Sequence, residues 1–218
     1  MTKALIVWGG WDGHEPEGIS KLLGGALEEQ GVEVTISDTL DAFKDLDLTQ
    51  FDLLVPVWTM GTITKDQLKP VLEAVKEHGV GIGGLHGGMC DSFRNETEWQ
   101  LMTGGQWVAH PGNDGIDYTV EVNPAEPNPI TAGVPWPLHI KSEQYYMHVD
   151  PAIKVLATTT FSDGTVMPVV WTKMYGKGRV FYCSLGHHVD VVEPPTILDM
   201  VIRGLLWAAC AEKVGQPA

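Results

Sequence analysis

Cysteine is scarce: Cys90, Cys183 and Cys210 are the only three in 218 residues. The number is odd and no C-x-x-C pair occurs, which speaks against a disulfide framework or a cysteine-built zinc knuckle and leaves buried free thiols as the expectation. Basic charge is short as well. Lys and Arg number 14 against 28 Asp and Glu, a formal net charge of −14, with an isoelectric point near 4.8. No cluster of consecutive basic residues offers a footprint for a phosphate backbone, and an acidic surface is repelled by anionic membranes. Nucleic acid and membrane are therefore not expected partners. No apolar run approaches the roughly 20 residues that span a bilayer. The opening MTKALIVWGGWDG holds only the short stretch ALIVW, with no small-residue cleavage site after it. It reads as a first strand and not as a signal peptide, so a cytoplasmic chain is expected. G-x-G-x-x-G, Walker A and G-x-S-x-G are all missing, so neither a nucleotide cofactor nor a serine nucleophile is expected.

What the chain does have is alternation. KALIVW (3–8) is a β-branched run closed by Gly9 and Gly10. Ile19, Leu22, Leu23, Ala26 and Leu27 then follow at helical spacing, with Gly31 placed to end the helix. VEVTIS (32–37) and FDLLVPVW (51–58) read as strands. Thr64 opens a capping box with Gln67 ahead of Leu68, Val71, Leu72 and Val75, although Pro70 predicts an irregular first turn. VGIGGLH (80–86) is a fourth strand, buried by its pattern. This order predicts an α/β fold with a doubly wound, mostly parallel sheet flanked by helices. The second half is less regular. DYTVEV (117–122) alternates like an antiparallel or edge strand, and the proline-rich stretch 123–137 must be a shaped loop. IKVLATTT (153–160), VMPVVWTK (166–173) and GRVFYC (178–183) are further strands, and a last helix starts at Pro195. No repeat or linker splits the chain, so one domain over 1–218 is expected.

Candidate chemistry sits where these strands end, because ligands of open parallel sheets bind beyond the carboxyl ends of the strands. His86 is set in Gly84-Leu85-His86-Gly87-Gly88, the shape of a nucleophile elbow with an imidazole at the presenting position. Cys90 comes four residues too late to be that nucleophile. A helix beginning just after His86 would hold the ring neutral, fit to act as a base, hydrogen-bond partner or metal ligand. His187 and His188 follow the late strand. Neighbours point oppositely at an extended strand end, and His187 is preferred as the inward one. Glu143 is the carboxylate of SEQYY and could orient a histidine, act as acid or base, or bind a metal. His86, Glu143 and His187 are the candidate catalytic residues. Trp11, Asp12, His14, Trp58, His110 and Tyr145 are candidate substrate contacts, and Trp11, Trp58 and Trp107 are each candidate stacking platforms for a sugar ring.

With ALIVWGGWDGHEPEG, GIGGLHGGMCDSFR, GGQWVAHPG, SEQYY and GRVFYCSLGHH in order along the chain, the protein resembles the ThuA-like, trehalose-utilisation family. That family's fold is similar to class I glutamine amidotransferases. In those enzymes the elbow carries a catalytic cysteine, and a His-x-Glu pair follows the late strand. Here the elbow holds His86, and His187 is followed by His188 and Val189, so the resemblance implies that glutamine hydrolysis is lost. It further implies a role in breaking down trehalose or related disaccharides, including keto-sugars, in a pocket lined by His14, His86, His110, Glu143 and His187. A small carbohydrate is the implied partner, a divalent ion such as Zn²⁺ or Mn²⁺ a candidate cofactor, and a homo-oligomer is compatible with it. Two readings stay open: a sugar-processing hydrolase or isomerase, and a non-catalytic sugar-binding or sensing module.

Overall fold

A computed structural model describes residues 1–209. Its strands are β1 (Lys3–Gly10), β2 (Glu33–Ser37), β3 (Leu53–Thr59), β4 (Gly81–Leu85), β5 (Gly105–Ala109), β6 (Ile116–Val122), β7 (Leu138–Ser142), β8 (Tyr146–Val149), β9 (Lys154–Thr160), β10 (Val166–Tyr175) and β11 (Gly178–Cys183). The helices are α1 (Pro16–Glu29), α2 (Ala42–Asp45), α3 (Lys65–His78), α4 (Gly87–Cys90), α5 (Thr97–Thr103), α6 (Val189–Val192) and α7 (Pro195–Ala208).

Nine strands form one sheet in the order β2-β1-β3-β4-β11-β10-β9-β6-β7. The first five are parallel, joined through β1–β2, β1–β3, β3–β4 and β4–β11. The remaining pairings, β11–β10, β10–β9, β9–β6 and β6–β7, are antiparallel. β6 is thus internal, with β7 at the edge. β5 and β8 pair as a separate two-stranded ribbon. The segments that become α5, β5, β7 and β8 carry too little periodicity to be read from sequence.

Apolar stripes decide which helix covers which face. Ile19, Leu23 and Leu27 of α1 and Ile197, Met200, Val201 and Leu205 of α7 bury against Ala4, Ile6 and Val55 on one side of the sheet. Leu68, Val71 and Val75 of α3 and Trp99 and Met102 of α5 bury against Leu5, Val7 and Leu54 on the other. Alternate residues of β1 therefore serve two separate cores, as a period of two requires. The capping box at Thr64 and Gln67 is formed, and α3 runs unbroken through Pro70. A first turn secured at Thr64 tolerates the proline where an irregular turn is expected from sequence. Cys90 and Cys183 are free, buried thiols; burial pushes the Cys183 thiol up to about 12 and the Cys90 thiol higher still. Cys210 lies outside the described residues. No helix among the described residues is long and apolar enough to cross a membrane.

Candidate metal and sugar site

The carboxyl ends of β1, β3, β4 and β11 meet at one rim, and each delivers part of one cluster. His86 follows β4 with φ 49° and ψ −140°, a strained backbone for a residue with a side chain and the geometry of an elbow. Three contacts hold it there. Its N–H donates to Cys183 O at 2.7 Å, Tyr182 Oη donates to its carbonyl at 2.9 Å, and its ring stacks on Tyr145 with centroids 4.0 Å apart. The flanking glycines have a steric reason. A Cβ on Gly87 would lie 2.5 Å from His14 Cε1, and one on Gly186 would lie 2.5 Å from His86 Cβ.

His14 comes from the turn after β1, and its Nδ1 lies 2.8 Å from Thr59 Oγ1 at the end of β3. His187 follows β11 in a left-handed conformation, φ 94°. Glu143 arrives from the far side of the sheet, in the link between β7 and β8. Ser142 Oγ donating to Gly186 O at 2.8 Å and Tyr118 Oη donating to Glu143 O at 3.1 Å fix that link.

These side chains converge on the Glu143 carboxylate. Oε2 is 3.1 Å from His86 Nε2, 3.4 Å from His187 Nδ1 and 3.8 Å from His14 Nε2, and Oε1 is 3.6 Å from His110 Nε2. His14, His86, Glu143 and His187 are all buried, while His110 keeps 27% of its side chain exposed. Burial dominates at His86 and pulls its pKa down to about 4, against the pull of Glu143. Sequence points instead to a helix N-terminus as the cause, but α4 has only four residues, and the loss of hydration is what keeps the ring neutral. Burial alone would raise the Glu143 carboxyl; the nearby imidazoles of His14, His187 and His86 outweigh it and hold the group well below the usual carboxylate range. Burial alone would lower the His187 imidazole; the Glu143 carboxylate 3.4 Å from its Nδ1 outweighs it and raises the group.

The proton count of this cluster is short. His86 Nδ1 faces the carbonyl of Ser184 at 2.9 Å and Nε2 faces a carboxylate oxygen at 3.1 Å. A neutral imidazole has one N–H for these two acceptors. His187 Nδ1 is buried with no hydrogen-bond partner. A cation bound among Nε2 of His86, Nδ1 of His187, a nitrogen of His14 and Glu143 Oε2 resolves both defects. The ligand atoms of His14, His86, Glu143 and His187 lie within 4.8 Å of one another. Ligands about 2.0–2.1 Å from a tetrahedral zinc are separated by about 3.3 Å, and the observed spacings bracket that value. Imidazole nitrogens with one carboxylate suit Zn²⁺ or Mn²⁺.

In front of the cluster opens a cavity of about 360 Å³, lined by Glu143, His14, His110, His187 and Tyr145 together with Trp11, Trp107, Asp91 and Arg94. Two of the candidate substrate contacts do not line it. Asp12 is exposed in the short turn after β1. Trp58 packs beside Gly9 and Gly61, on the opposite side of its strand from Thr59, which bonds His14. His188 lies 3.7 Å from Glu15 and not against Glu143. Thr59, Ser184, Asp91 and Arg94 carry no motif of their own. Ser184 falls within GRVFYCSLGHH, and Asp91 and Arg94 within GIGGLHGGMCDSFR, directly after the elbow.

A buried histidine–carboxylate cluster sits on the rim of a doubly wound, mostly parallel sheet, and the elbow of this amidotransferase-like α/β fold presents an imidazole. The chain belongs to the ThuA family, described as trehalose utilisation, whose family model matches residues 3–208. Similar solved structures include a protein described as ThuA-like from Parabacteroides merdae, with 21% identity, a TM-score of 0.78, and 100% of this chain and 92% of that one covered. Another, also described as ThuA-like, comes from Bacteroides uniformis, with 18% identity, a TM-score of 0.73 and coverage of 99% and 94%. A β-galactosidase from Rahnella sp. R3 matches at 18% identity and a TM-score of 0.61 over 84% of this chain but 28% of its own length. At these identities the likeness concerns the fold. No curated protein matches this chain.

Proposed function

We propose that this chain is a cytoplasmic, metal-assisted enzyme that processes a trehalose-type disaccharide in its keto form, as a hydrolase or isomerase. The observation that carries the reading is the convergence of three buried histidines and one carboxylate with fewer protons than acceptors. Family membership supports the sugar, and the free buried thiols support the compartment.

In this reading His14, His86, His187 and Glu143 hold the ion. A bound divalent ion supplies Lewis-acid polarisation of a substrate carbonyl oxygen. A carbonyl acidifies the neighbouring C–H, so that an imidazole suffices to take the proton. Both ring nitrogens of His86 are engaged, so the base is a different histidine from the one the elbow motif suggests. His110 is the partly exposed member of the group, its Nε2 3.6 Å from Glu143 Oε1, and its imidazole moves the proton. Tyr145 backs His86, and Trp11 and Trp107 wall the cavity that admits the sugar. The test is turnover by tag-free protein loaded with Zn²⁺ or Mn²⁺, offered trehalose and its mono-oxidised keto derivative. Conversion of the keto sugar, absent with trehalose, is expected. Tight binding of both sugars with no conversion of either would replace the enzyme by a binding module.

Gly87 offers an independent check on the metal. Gly87→Ala forces His14 away from Thr59, so metal affinity should weaken by about 10–100-fold, the usual cost of disturbing a supporting contact. The extra methyl should cost about 1–3 kcal/mol of stability. Chelator competition and thermal melting measure the two effects, and unchanged metal affinity would argue that His14 is not a ligand.

A further inference from the structure

The proposed reaction leaves one built feature of the cavity unused. Asp91, directly after α4, is 3% exposed, and its oxygens accept from Arg94 Nε at 2.6 Å and Nη2 at 2.9 Å. A buried carboxylate needs such a partner, yet Arg94 itself keeps 42% of its side chain exposed. Its guanidinium lies 4.4 Å from the centroid of the Trp107 ring. Fork and stack together lock a long side chain in one pose, which lowers the ordering cost a ligand would meet.

The backbone beneath is clamped as firmly. Met60 N donates to Asp91 O at 2.8 Å and Phe93 N to Met60 O at 3.1 Å, while Ser92 Oγ donates to Trp58 O at 2.6 Å. Met60 and Phe93 both hold left-handed backbone, φ 58° and 47°, strain that persists only where surrounding contacts over-determine it. Asp91, Arg94 and Trp107 line the same cavity as Glu143 and His187. The Trp107 ring is 5.4 Å from that of His110 and 6.3 Å from that of Tyr145, centroid to centroid. The unit therefore stands one ring-width from the reacting end.

Charge selects the ligand. Arg94 is the one Lys or Arg among the residues lining this cavity, and Asp91 neutralises it, while Asp114 adds negative charge to the wall and the Glu143 charge is taken up by the ion. An anionic ligand meets repulsion there, whereas a neutral, oxygen-rich one does not. Among the described residues Arg94 Nη1 makes no hydrogen bond, so two N–H groups of a guanidinium already fixed in place remain to be accepted.

Resting on the sugar reading above, we propose that Asp91, Arg94 and Trp107 form a subsite for the non-reacting ring of a neutral disaccharide. Arg94 Nη1 donates to that ring's hydroxyl or ether oxygens. Arg94 is a positioning and specificity residue, with Asp91 and Trp107 holding it.

Arg94→Lys keeps a cation beside Asp91 and removes the planar fork. With metal-loaded protein, calorimetric affinity for trehalose should fall about tenfold or more, in line with losing a hydrogen bond to a charged group. KM for the keto-disaccharide should rise by the same factor with kcat little changed, while KM for a keto-monosaccharide stays at the wild-type value. Metal content and melting temperature should be unaltered. Should the lysine variant unfold, Trp107→Phe takes its place with the same KM split expected. Wild-type sugar binding that either folded variant retains in full overturns the subsite and leaves the sugar reading standing. Tighter wild-type binding of glucuronate than of trehalose overturns its neutral specificity. Failure of the metal-loaded wild type to bind any of these sugars removes the sugar reading, and the subsite falls with it.

Discussion

Glu143→Gln is expected to strip the protein of its metal and of its activity while leaving the chain folded. The carboxylate is where His14, His86, His187 and His110 converge, with nitrogen–oxygen separations of 3.1–3.8 Å. An amide keeps the volume and removes the charge that balances a divalent ion. Losing a ligand outright should exceed the 10–100-fold cost typical of a supporting residue, so metal affinity should fall by more than about 10²-fold. Keto-sugar turnover should fall at least in proportion. Glu143→Asp keeps the charge but withdraws it by one methylene, and should lie between. Metal analysis after dialysis against a weak chelator, with circular dichroism for the fold, decides the matter. A glutamine variant that keeps a full equivalent of metal would mean that Glu143 is an acid–base or orienting group only.

The second large effect should appear as heat stability. The buried side chains proposed to hold the ion come from four separated places: the turn after β1, the elbow after β4, the β7–β8 link and the loop after β11. An ion that binds them ties these elements together only in the native state. At a free metal concentration about a thousand times Kd, linkage contributes about 4 kcal/mol. For a domain of this size that is roughly 8–16 °C in Tm. Scanning calorimetry with Zn²⁺ or Mn²⁺, before and after chelation, should show the shift appear and reverse. His86→Ala and His187→Ala should abolish it. His188→Ala should not, because that ring lies beside Glu15 and not against Glu143. A shift that survives in His86→Ala would place the ion elsewhere.

The two effects differ in how far sequence alone anticipates them. His86 stands out because glycines flank it at the end of an apolar run, and the structure shows why. Gly87 makes room for the ring of His14, and the left-handed backbone at His86 aims its side chain over the rim. The stripe in α1, the capping box at Thr64 and the strand β4 are equally legible, being local patterns of period 3.6 or 2 that burial enforces. Glu143 is another matter. It belongs to an antiparallel excursion that leaves the parallel sheet and returns, and it meets His86 across 57 positions of sequence. Its residue type marks it as capable of the chemistry, whereas its partners are set by how β6 and β7 pair.

The tryptophans and their neighbours make the same point at one-residue resolution. Trp58 and Thr59 are adjacent at the end of β3, and the indole attracts attention as a sugar platform. Successive side chains of a strand face opposite ways, and here Thr59 bonds His14 while Trp58 lies against Gly9 and Gly61. Nothing local distinguishes the two. The pair Asp91 and Arg94 likewise carries no local sign of its setting, which comes from Trp107 of β5 laid against the guanidinium.

Local periodicity, punctuated by glycine and by capping residues, was therefore enough to establish an α/β sheet with an imidazole at its elbow. Those features depend only on which face of a helix or strand is buried. Which histidine turns inward, which carboxylate it meets and which cation-bearing side chain lines the cavity were decided by strand order and long-range packing. Such contacts join residues tens of positions apart, and no short-range pattern in the chain encodes them.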